Sequence, residues 1–566
     1  MADGVIAPEA DEVGPKQSRT RKRTSDGGRV LTFVEARRHK ASSRSRWRDV
    51  AEELGGELWP KINPSFRLKP GQTVFTIGSC FARNIEANLE ALGCKVPMLG
   101  FRLPAEEFDG PPNAAMNKFH PPAFRQCLEW TARIYDRDGV VAWEDCAPLA
   151  FETAEGLYFD LDMAATVLPA SRERFIARRQ HVYDVFATAF AADCLMMTPG
   201  LIEAWRDRET GLYMYGAPYE KRMMSMPDRW AFEVLSYPRC LEDLLASIDV
   251  VRRRNPAVKV LVTTSPVPLN RTFTERDVTV ANAHSKAVLR AVCDAVLLDR
   301  EAVDYFPSYE MVTLSNPAMA WKQDRLHVSQ GFIGKLVSYM LDNYFEGVEA
   351  AAADYQQARV LFATGDLGGA EAAARTALDG RPEHLEARIL LGSTLAQQQR
   401  WDEAVAVLAP AVTADPQRAD ARIQLAGALA GAGRSEAAVG AAREAMALES
   451  FSVAGLLAMD GLLMRIPTAE AVGLCEQALE LFPRHVEVYP RLVNALLRDG
   501  RTDEAITALR RVAELPHPPA ALLAQLSRLS FDQGETAEAL NRAEAALKRD
   551  PKNTQARALI AQLAPA

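Results

Sequence analysis

The stretch "VFTIGSCFARNIEANLEALG" (74–93) sets the fold question, because it changes structural grammar in the middle. Val74, Phe75, Thr76 and Ile77 are β-branched or aromatic and read as a short buried strand. Gly78, Ser79 and Cys80 then make a tight step, after which Arg83–Leu92 carries a helical pattern. Two nucleophile-bearing side chains stand next to one another on that strand-to-helix turn. Three uses are compatible with the stretch alone: Ser79 as nucleophile, Cys80 as nucleophile, or Ser79 as a helix N-cap.

The same grammar recurs outward from this point. "DCLMMTPG" (193–200) and "VKVLVTTSPVP" (258–268) are further apolar strand runs that end in Gly or Pro loops, and "DAVLLDR" (294–300) reads as a weaker fourth strand. Helical patterns over Arg174–Ala191, Leu241–Arg254 and Ala281–Val292 separate them. Strands alternating with helices predict an α/β domain with a parallel sheet covered on both faces. Ligands of such sheets bind beyond the carboxyl ends of the strands. Ser79, Gly200 and Ser265, each just past a strand run, are therefore expected to gather at one edge.

A serine acting as nucleophile needs a base within hydrogen-bond reach and a third group to orient that base. The chain has eight histidines, and His327 alone has an acid at a suggestive spacing. In "WKQDRLHVSQGF" (321–332), Asp324 precedes His327 by three residues, just ahead of a closing helix. Asp324 can orient the imidazole, or it can simply cap the helix beside a surface histidine. For the oxyanion, Ser79 offers its own N–H, Gly200 is the expected second backbone donor, and Asn117 is a candidate side-chain amide.

After about Glu346 the texture shifts to Ala, Leu, Arg and Glu, and a fixed period appears. Gly365, Gln399 and Gly433 are 34 residues apart, as are Gly500 and Gly534. Ala370, Ala404, Ala438, Ala505 and Ala539 each follow five places on. Pro382, Pro416, Pro483 and Pro551 punctuate the chain between these turns. About six helix-turn-helix units fit, with a degenerate one around Ile466–Glu470, where Pro467 stands in the turn. A 34-residue unit of this kind resembles the tetratricopeptide repeat. The resemblance implies an all-α solenoid whose concave face docks a protein partner or mediates self-association.

Composition excludes several classes. At 566 residues, 48% apolar and 25% charged, the chain is an ordinary globular protein of several domains. Its net charge of −8 gives no reason to expect specific nucleic-acid binding. Eight scattered cysteines without a C-x-x-C pair argue against a zinc site or a disulfide framework. No run of eighteen apolar residues and no signal-peptide core is found, so a cytoplasmic chain without a membrane span is expected. Between Lys16 and Arg48 only Asp26 and Glu35 are acidic, which reads as a solvated basic tail. The expected organisation is a basic, disordered tail over 1–48, an α/β domain over 49–347 and a repeat solenoid over 352–566.

The ordered blocks "GSCFA" (78–82), "MNKFHP" (116–121), "MTPGLIEAW" (197–205), "TTSPVPL" (263–269), "NAHSKAVLR" (282–290), "YFPSYE" (305–310) and "DRLHVS" (324–329) resemble the GSCFA family, which is related to the SGNH/GDSL hydrolases. The resemblance covers about residues 60–346. It implies a flavodoxin-like three-layer sandwich with Ser79 as nucleophile, His327 as base and Asp324 as the acid orienting it. It further implies esterase or O-acyltransferase chemistry on an acyl ester, of a carbohydrate or glycan, through an acyl-serine, with Cys80 packed against the core. No cofactor or metal is expected. The chain departs from the wider SGNH pattern at Gly200-Leu-Ile-Glu203, where Gly-x-Asn would supply oxyanion donors. Either Asn117 takes that role or backbone donors suffice. A contrasting expectation is a non-catalytic scaffold: a degenerate hydrolase fold beside a protein-binding repeat array.

Overall fold

The computed structural model describes residues 32–34, 36, 44–47, 50–69, 71–91, 94–104, 107–108, 110, 113–346, 350–448, 450–483, 485–515 and 518–563. Most of the basic tail, with His39, lies outside them, as does His517.

The α/β half runs β1 (Val74–Gly78), α1 (Cys80–Ala91), α2 (Pro121–Arg137), β2 (Ala150–Glu152), β3 (Tyr158–Asp160), α3 (Arg172–Ala187), β4 (Cys194–Thr198), β5 (Glu203–Asp207), β6 (Trp230–Val234), α4 (Tyr237–Arg252), β7 (Lys259–Val262), α5 (Val278–Asp299), β8 (Val303–Tyr305), α6 (Ser308–Leu314) and α7 (Gln330–Tyr344). Shorter helical turns lie between these elements. The main sheet has the order β1-β4-β7-β8, and every pairing in it is parallel. On the other side of β1, Lys95 forms a single parallel bridge with Thr73, its N–H donating to Gln72 O and its carbonyl accepting from Val74 N–H. Counting that bridge as a reduced strand gives the order 2-1-3-4-5. The chain therefore leaves β1 at the point where strand order reverses, which is where such sheets bind ligands.

The period-2 alternation of strand side chains splits the interior into two cores. Phe75, Ile77, Leu195, Met197, Val260 and Val262 face α2–α5. Val74, Cys194, Met196 and Leu261 face α1, α6 and α7. A helix layer on each face of the sheet is the expected three-layer sandwich. Fully burying a side chain such as Phe75 contributes about 2 kcal/mol relative to leaving it exposed.

The run 294–300 is not a strand. Residues 294–299 are the last turns of α5, which buries Leu289, Val292, Cys293 and Val296 at helical spacing. A short apolar run fits either element by periodicity alone, and here the length of the helix decides. The true fourth strand, β8, follows at Val303. Two antiparallel ribbons, β2–β3 and β5–β6, were not expected.

Gly78 is required by close approach. It pairs in register with Thr198, and a Cβ there would sit 1.7 Å from Thr198 Oγ1 and 2.8 Å from Thr198 O. Gly78→Ala is expected to push β1 from β4 and to destabilise the α/β half by roughly 1–3 kcal/mol, measured by thermal or denaturant unfolding.

From α8 (Ala350–Thr364) onward the described residues are helical. The five turn positions read from the period all have positive φ: Gly365 (85°), Gln399 (63°), Gly433 (75°), Gly500 (74°) and Gly534 (83°). This is the left-handed conformation that ends helices, and glycine adopts it at little cost. Ala370, Ala404, Ala438, Ala505 and Ala539 are completely buried, as expected of residues that let paired helices approach. The degenerate unit is visible as a broken helix, Val453–Ala458 then Asp460–Leu463, before Thr468–Leu481. A groove of about 640 Å³ along the first repeats is lined by Arg359, Trp401, Arg418, Ile423, Gln424 and Arg465, among others. The repeat array joins the α/β half tightly. A Cβ on Gly334 of α7 would stand 2.9 Å from Val360 Cγ2 of α8, and Arg359 hydrogen-bonds Asn88 of α1. Among the described residues no helix is long and apolar enough to cross a membrane.

Candidate active site

Ser79 occupies the turn between β1 and α1 and is 3% exposed. Its Oγ donates to Ser265 Oγ at 3.0 Å and accepts from Phe81 N–H at 3.3 Å, so it also caps the first turn of α1. The loops that leave β4 and β7 meet it there. A Cβ on Gly200 would lie 3.4 Å from Ser265 Cβ and 3.7 Å from Ser79 Cβ. Ser265 is fully buried, and its N–H donates to Pro199 O at 2.9 Å. Ser79, Gly200 and Ser265 thus converge at the carboxyl edge of the sheet.

The segment 117–119 lies across the ends of β1 and β4. Lys118 N–H donates to Gly78 O at 2.8 Å, and Phe119 O accepts from both Gly200 N–H (2.8 Å) and Leu201 N–H (3.0 Å). The Gly200 amide, expected as an oxyanion donor, is therefore spent inside the fold on Phe119. Asn117 is brought beside this edge, 6% exposed, with its amide toward the Tyr215 hydroxyl. Ile202, where Gly-x-Asn would place its asparagine, is buried, and the next residue, Glu203, accepts from Thr272 Oγ1 and Phe273 N–H.

His327 and Asp324 lie in the loop before α7. The carboxyl end of α7 meets Leu68, upstream of β1, through Leu68 N–H to Tyr344 O at 2.7 Å. The amino end of α7, and the loop before it, therefore lie at the carboxyl edge of the sheet, the edge that carries Ser79. Asp324 Oδ1 accepts from the N–H groups of Leu326 (2.9 Å) and His327 (3.0 Å), and Oδ2 bonds His327 Nδ1 at 2.7 Å. The backbone N–H of His327, then its ring and the Leu326 N–H, hold the Asp324 carboxyl well below the usual carboxylate range. Both side chains are about half exposed. Among the described residues no hydrogen bond joins His327 to Ser79. Asp324 and His327 are bonded to each other, and Ser79 to Ser265, but no hydrogen bond among the described residues joins the two pairs.

Because the pair is exposed, His327→Ala is expected to shift Tm by less than about 2 °C, so that any loss of activity it causes is chemical rather than structural. Thermal unfolding of the purified variant checks this.

Cys80 differs from the expectation of a core-packed side chain. It is partly exposed, whereas the other seven cysteines are buried. Burial on its inner side raises its thiol, with Lys286 and Arg83 partly offsetting that rise, so the reactive thiolate is disfavoured. His120 serves structure: its Nδ1 accepts from Ala123 N–H at 3.3 Å, and burial lowers the imidazole to about 4, keeping it neutral.

Sequence reasoning passed over Lys286, which is 1% exposed on α5 behind Gly200. The block "NAHSKAVLR" contained it, but a lysine carries no sequence signal of burial.

A family model described as "GSCFA family" matches residues 73–340, and tetratricopeptide-repeat models match 355–419, 397–451, 468–529 and 525–564. No curated protein matches the chain. Among solved structures the chain is similar to pilF of Pseudomonas aeruginosa, 18% identical over 38% of this chain and 97% of that one, with a TM-score of 0.28. A tetratricopeptide repeat protein from Parabacteroides merdae is 15% identical, covering 41% of this chain and 91% of its own, at a TM-score of 0.27. TTC0263, a TPR protein of Thermus thermophilus, is 20% identical over 38% of this chain and 98% of its own, at 0.21.

Proposed function

We propose that the chain, whose residues 73–340 match the GSCFA family model and are followed by tetratricopeptide repeats, is a serine-dependent esterase or O-acyltransferase acting on an acyl ester, of a carbohydrate or glycan. The observation that carries this reading is the Asp324–His327 hydrogen bond at the sheet edge that also bears Ser79.

Ser79 Oγ attacks the acyl carbonyl while His327 Nε2 takes its proton, and Asp324 holds Nδ1–H and stabilises the imidazolium. The tetrahedral intermediate collapses as His327 returns the proton to the departing alcohol, leaving an acyl-serine. Water or an acceptor hydroxyl then attacks, giving the acid or a new ester and restoring Ser79–OH. With the Gly200 amide committed to Phe119 and one Asn117 amide N–H turned to Tyr215, the oxyanion falls to the Ser79 N–H and the second N–H of Asn117. Entry into the reaction requires Ser79 to exchange Ser265 for His327 as its hydrogen-bond partner.

The repeats supply a protein-docking surface, for a partner or for a second copy, and the α/β and repeat parts divide near residues 347–352. Eight unpaired cysteines fit a reducing, cytoplasmic setting.

The test is fluorophosphonate treatment of the full chain, followed by intact mass and peptide mapping. One adduct on Ser79 is expected, and its absence overturns the reading. Supplying an acyl donor with and without acceptor glycans then separates transfer from hydrolysis. A second reading, a non-catalytic scaffold, is favoured by the occupied Gly200 amide and the Ser79–Ser265 bond; it predicts no adduct on any serine.

A further inference from the structure

One face of α5 holds both loops that frame Ser79. Asn282, Ser285 and Lys286 stand at i, i+3 and i+4 and therefore project together. Asn282 Oδ1 accepts from Leu269 N–H at 2.9 Å, in the loop after β7. Ser285 Oγ accepts from Ile202 N–H at 3.1 Å, in the loop after β4. Lys286 Nζ bridges the two, donating to Gly200 O at 2.8 Å and Val267 O at 2.6 Å. Val267 is two residues beyond Ser265, and Gly200 packs against both Ser265 and Ser79.

We propose that Asn282, Ser285 and Lys286 form a clamp that positions the Ser79–Ser265 pair, with Lys286 adding a positive charge behind the nucleophile. The proposal rests on the Ser79 reading for its catalytic meaning and on the hydrogen bonds alone for its structural meaning.

A buried ammonium is costly without a carboxylate, and among the described residues Lys286 forms no ion pair. An apolar residue of similar length would fill the space without that cost but could hold neither carbonyl. Burial lowers the amine to about 7. The neutral amine still has two N–H groups for its two carbonyls, so deprotonation removes the charge and leaves the clamp closed. The titratable group facing it from α1 is Cys80. The β4 and β7 loops present backbone carbonyls. On α5 itself, His284 turns to Arg276, and Arg290 pairs with Asp294 and with Glu310 of α6. A cation at this place favours negative charge developing on Ser79 and its adduct.

The test compares the full-length wild type with Lys286→Met and Lys286→Arg, following amide exchange at Ile202, Ser265 and Leu269 and the rate of fluorophosphonate labelling of Ser79 between pH 6 and pH 9. Lys286→Met is expected to speed exchange in both loops at least tenfold. It should also slow labelling about tenfold at pH 6, with the gap narrowing toward pH 9 as the wild-type amine loses its proton. Lys286→Arg should restore the labelling rate at least in part and lose the pH-dependent gap. Asn282→Ala and Ser285→Ala each remove one bond and should speed exchange at Leu269 or Ile202 respectively, which keeps the clamp testable where Lys286→Met does not fold. Unchanged exchange in both loops overturns the clamp. A Met-to-wild-type labelling ratio that is constant with pH overturns the charge. A wild type that takes no label at Ser79 overturns the esterase reading, while the exchange data still judge the clamp.

Discussion

Ser79→Ala is expected to abolish the fluorophosphonate adduct and to lower ester turnover by at least about 10³-fold, the scale seen when a serine nucleophile is removed from a triad. The structural cost should be small. The change removes one hydrogen bond to Ser265 and one long cap to Phe81 N–H, together about 1–2 kcal/mol, so the variant should fold. Far-ultraviolet circular dichroism and Tm establish that the fold is retained, and turnover of a p-nitrophenyl ester gives the effect. Cys80→Ala discriminates between the neighbours: if the label persists in it and is lost in Ser79→Ala, the serine is the nucleophile. Undiminished turnover in Ser79→Ala would end the triad reading.

The largest expected effect on stability comes from Asp162→Asn. Asp162 is 2% exposed and accepts from Lys118 Nζ at 2.7 Å and Arg179 Nη1 at 3.0 Å, and both of those cations are themselves buried. Burial pushes its carboxyl up, but the Lys118 and Arg179 cations outweigh this and hold it below its ordinary value. The sign follows. Because the folded carboxyl is the stronger acid, its stabilisation is present above the unfolded value near 4 and is lost as pH falls toward the folded one. Asparagine keeps the shape but removes the charge, leaving Lys118 without a carboxylate and Arg179 with Asp160 alone. Breaking a buried pair on one side costs about 3–5 kcal/mol, so Tm should fall by roughly 10 °C at pH 7. The difference between wild type and variant should shrink below about pH 4. The effect should reach the site as well, since the Lys118 N–H is bonded to Gly78 O and Lys118 flanks Asn117. Calorimetry at pH 7 and pH 3.5 reads the first effect, and labelling of Ser79 reads the second.

The parts of this molecule that were legible in its sequence are those with a short period or a short spacing. β1, β4 and β7 are apolar runs closed by Gly or Pro, and the repeat turns announce themselves through positions that need positive φ, as Gly365 and Gly433 show. The Asp324–His327 bond spans three residues and could be drawn from the string alone. What escaped depends on distant chain. The Gly200 amide is captured by Phe119, some eighty residues upstream, and no local pattern records that partnership. Residues 294–299 look like a strand until α5 is seen to run unbroken into them. The ribbon β2–β3 pairs only three residues on each side, too few to establish an alternation. Lys286 reads as solvent-facing because lysine nearly always is, and its burial follows from two loops closing over α5.

The seam between α7 and α8 has a consequence for how the two halves exist at all. A repeat array keeps its first unit out of water only if something covers its outer side. Here the covering is supplied by α7, through a contact so close that Gly334 has no room for a side chain beside Val360. The α/β half is thus the end-plate of the solenoid, and the solenoid is the outer wall of the α/β half. Severed between them, each would carry a raw apolar edge. The chain is built as one body in which the α/β half and the repeats share a common wall.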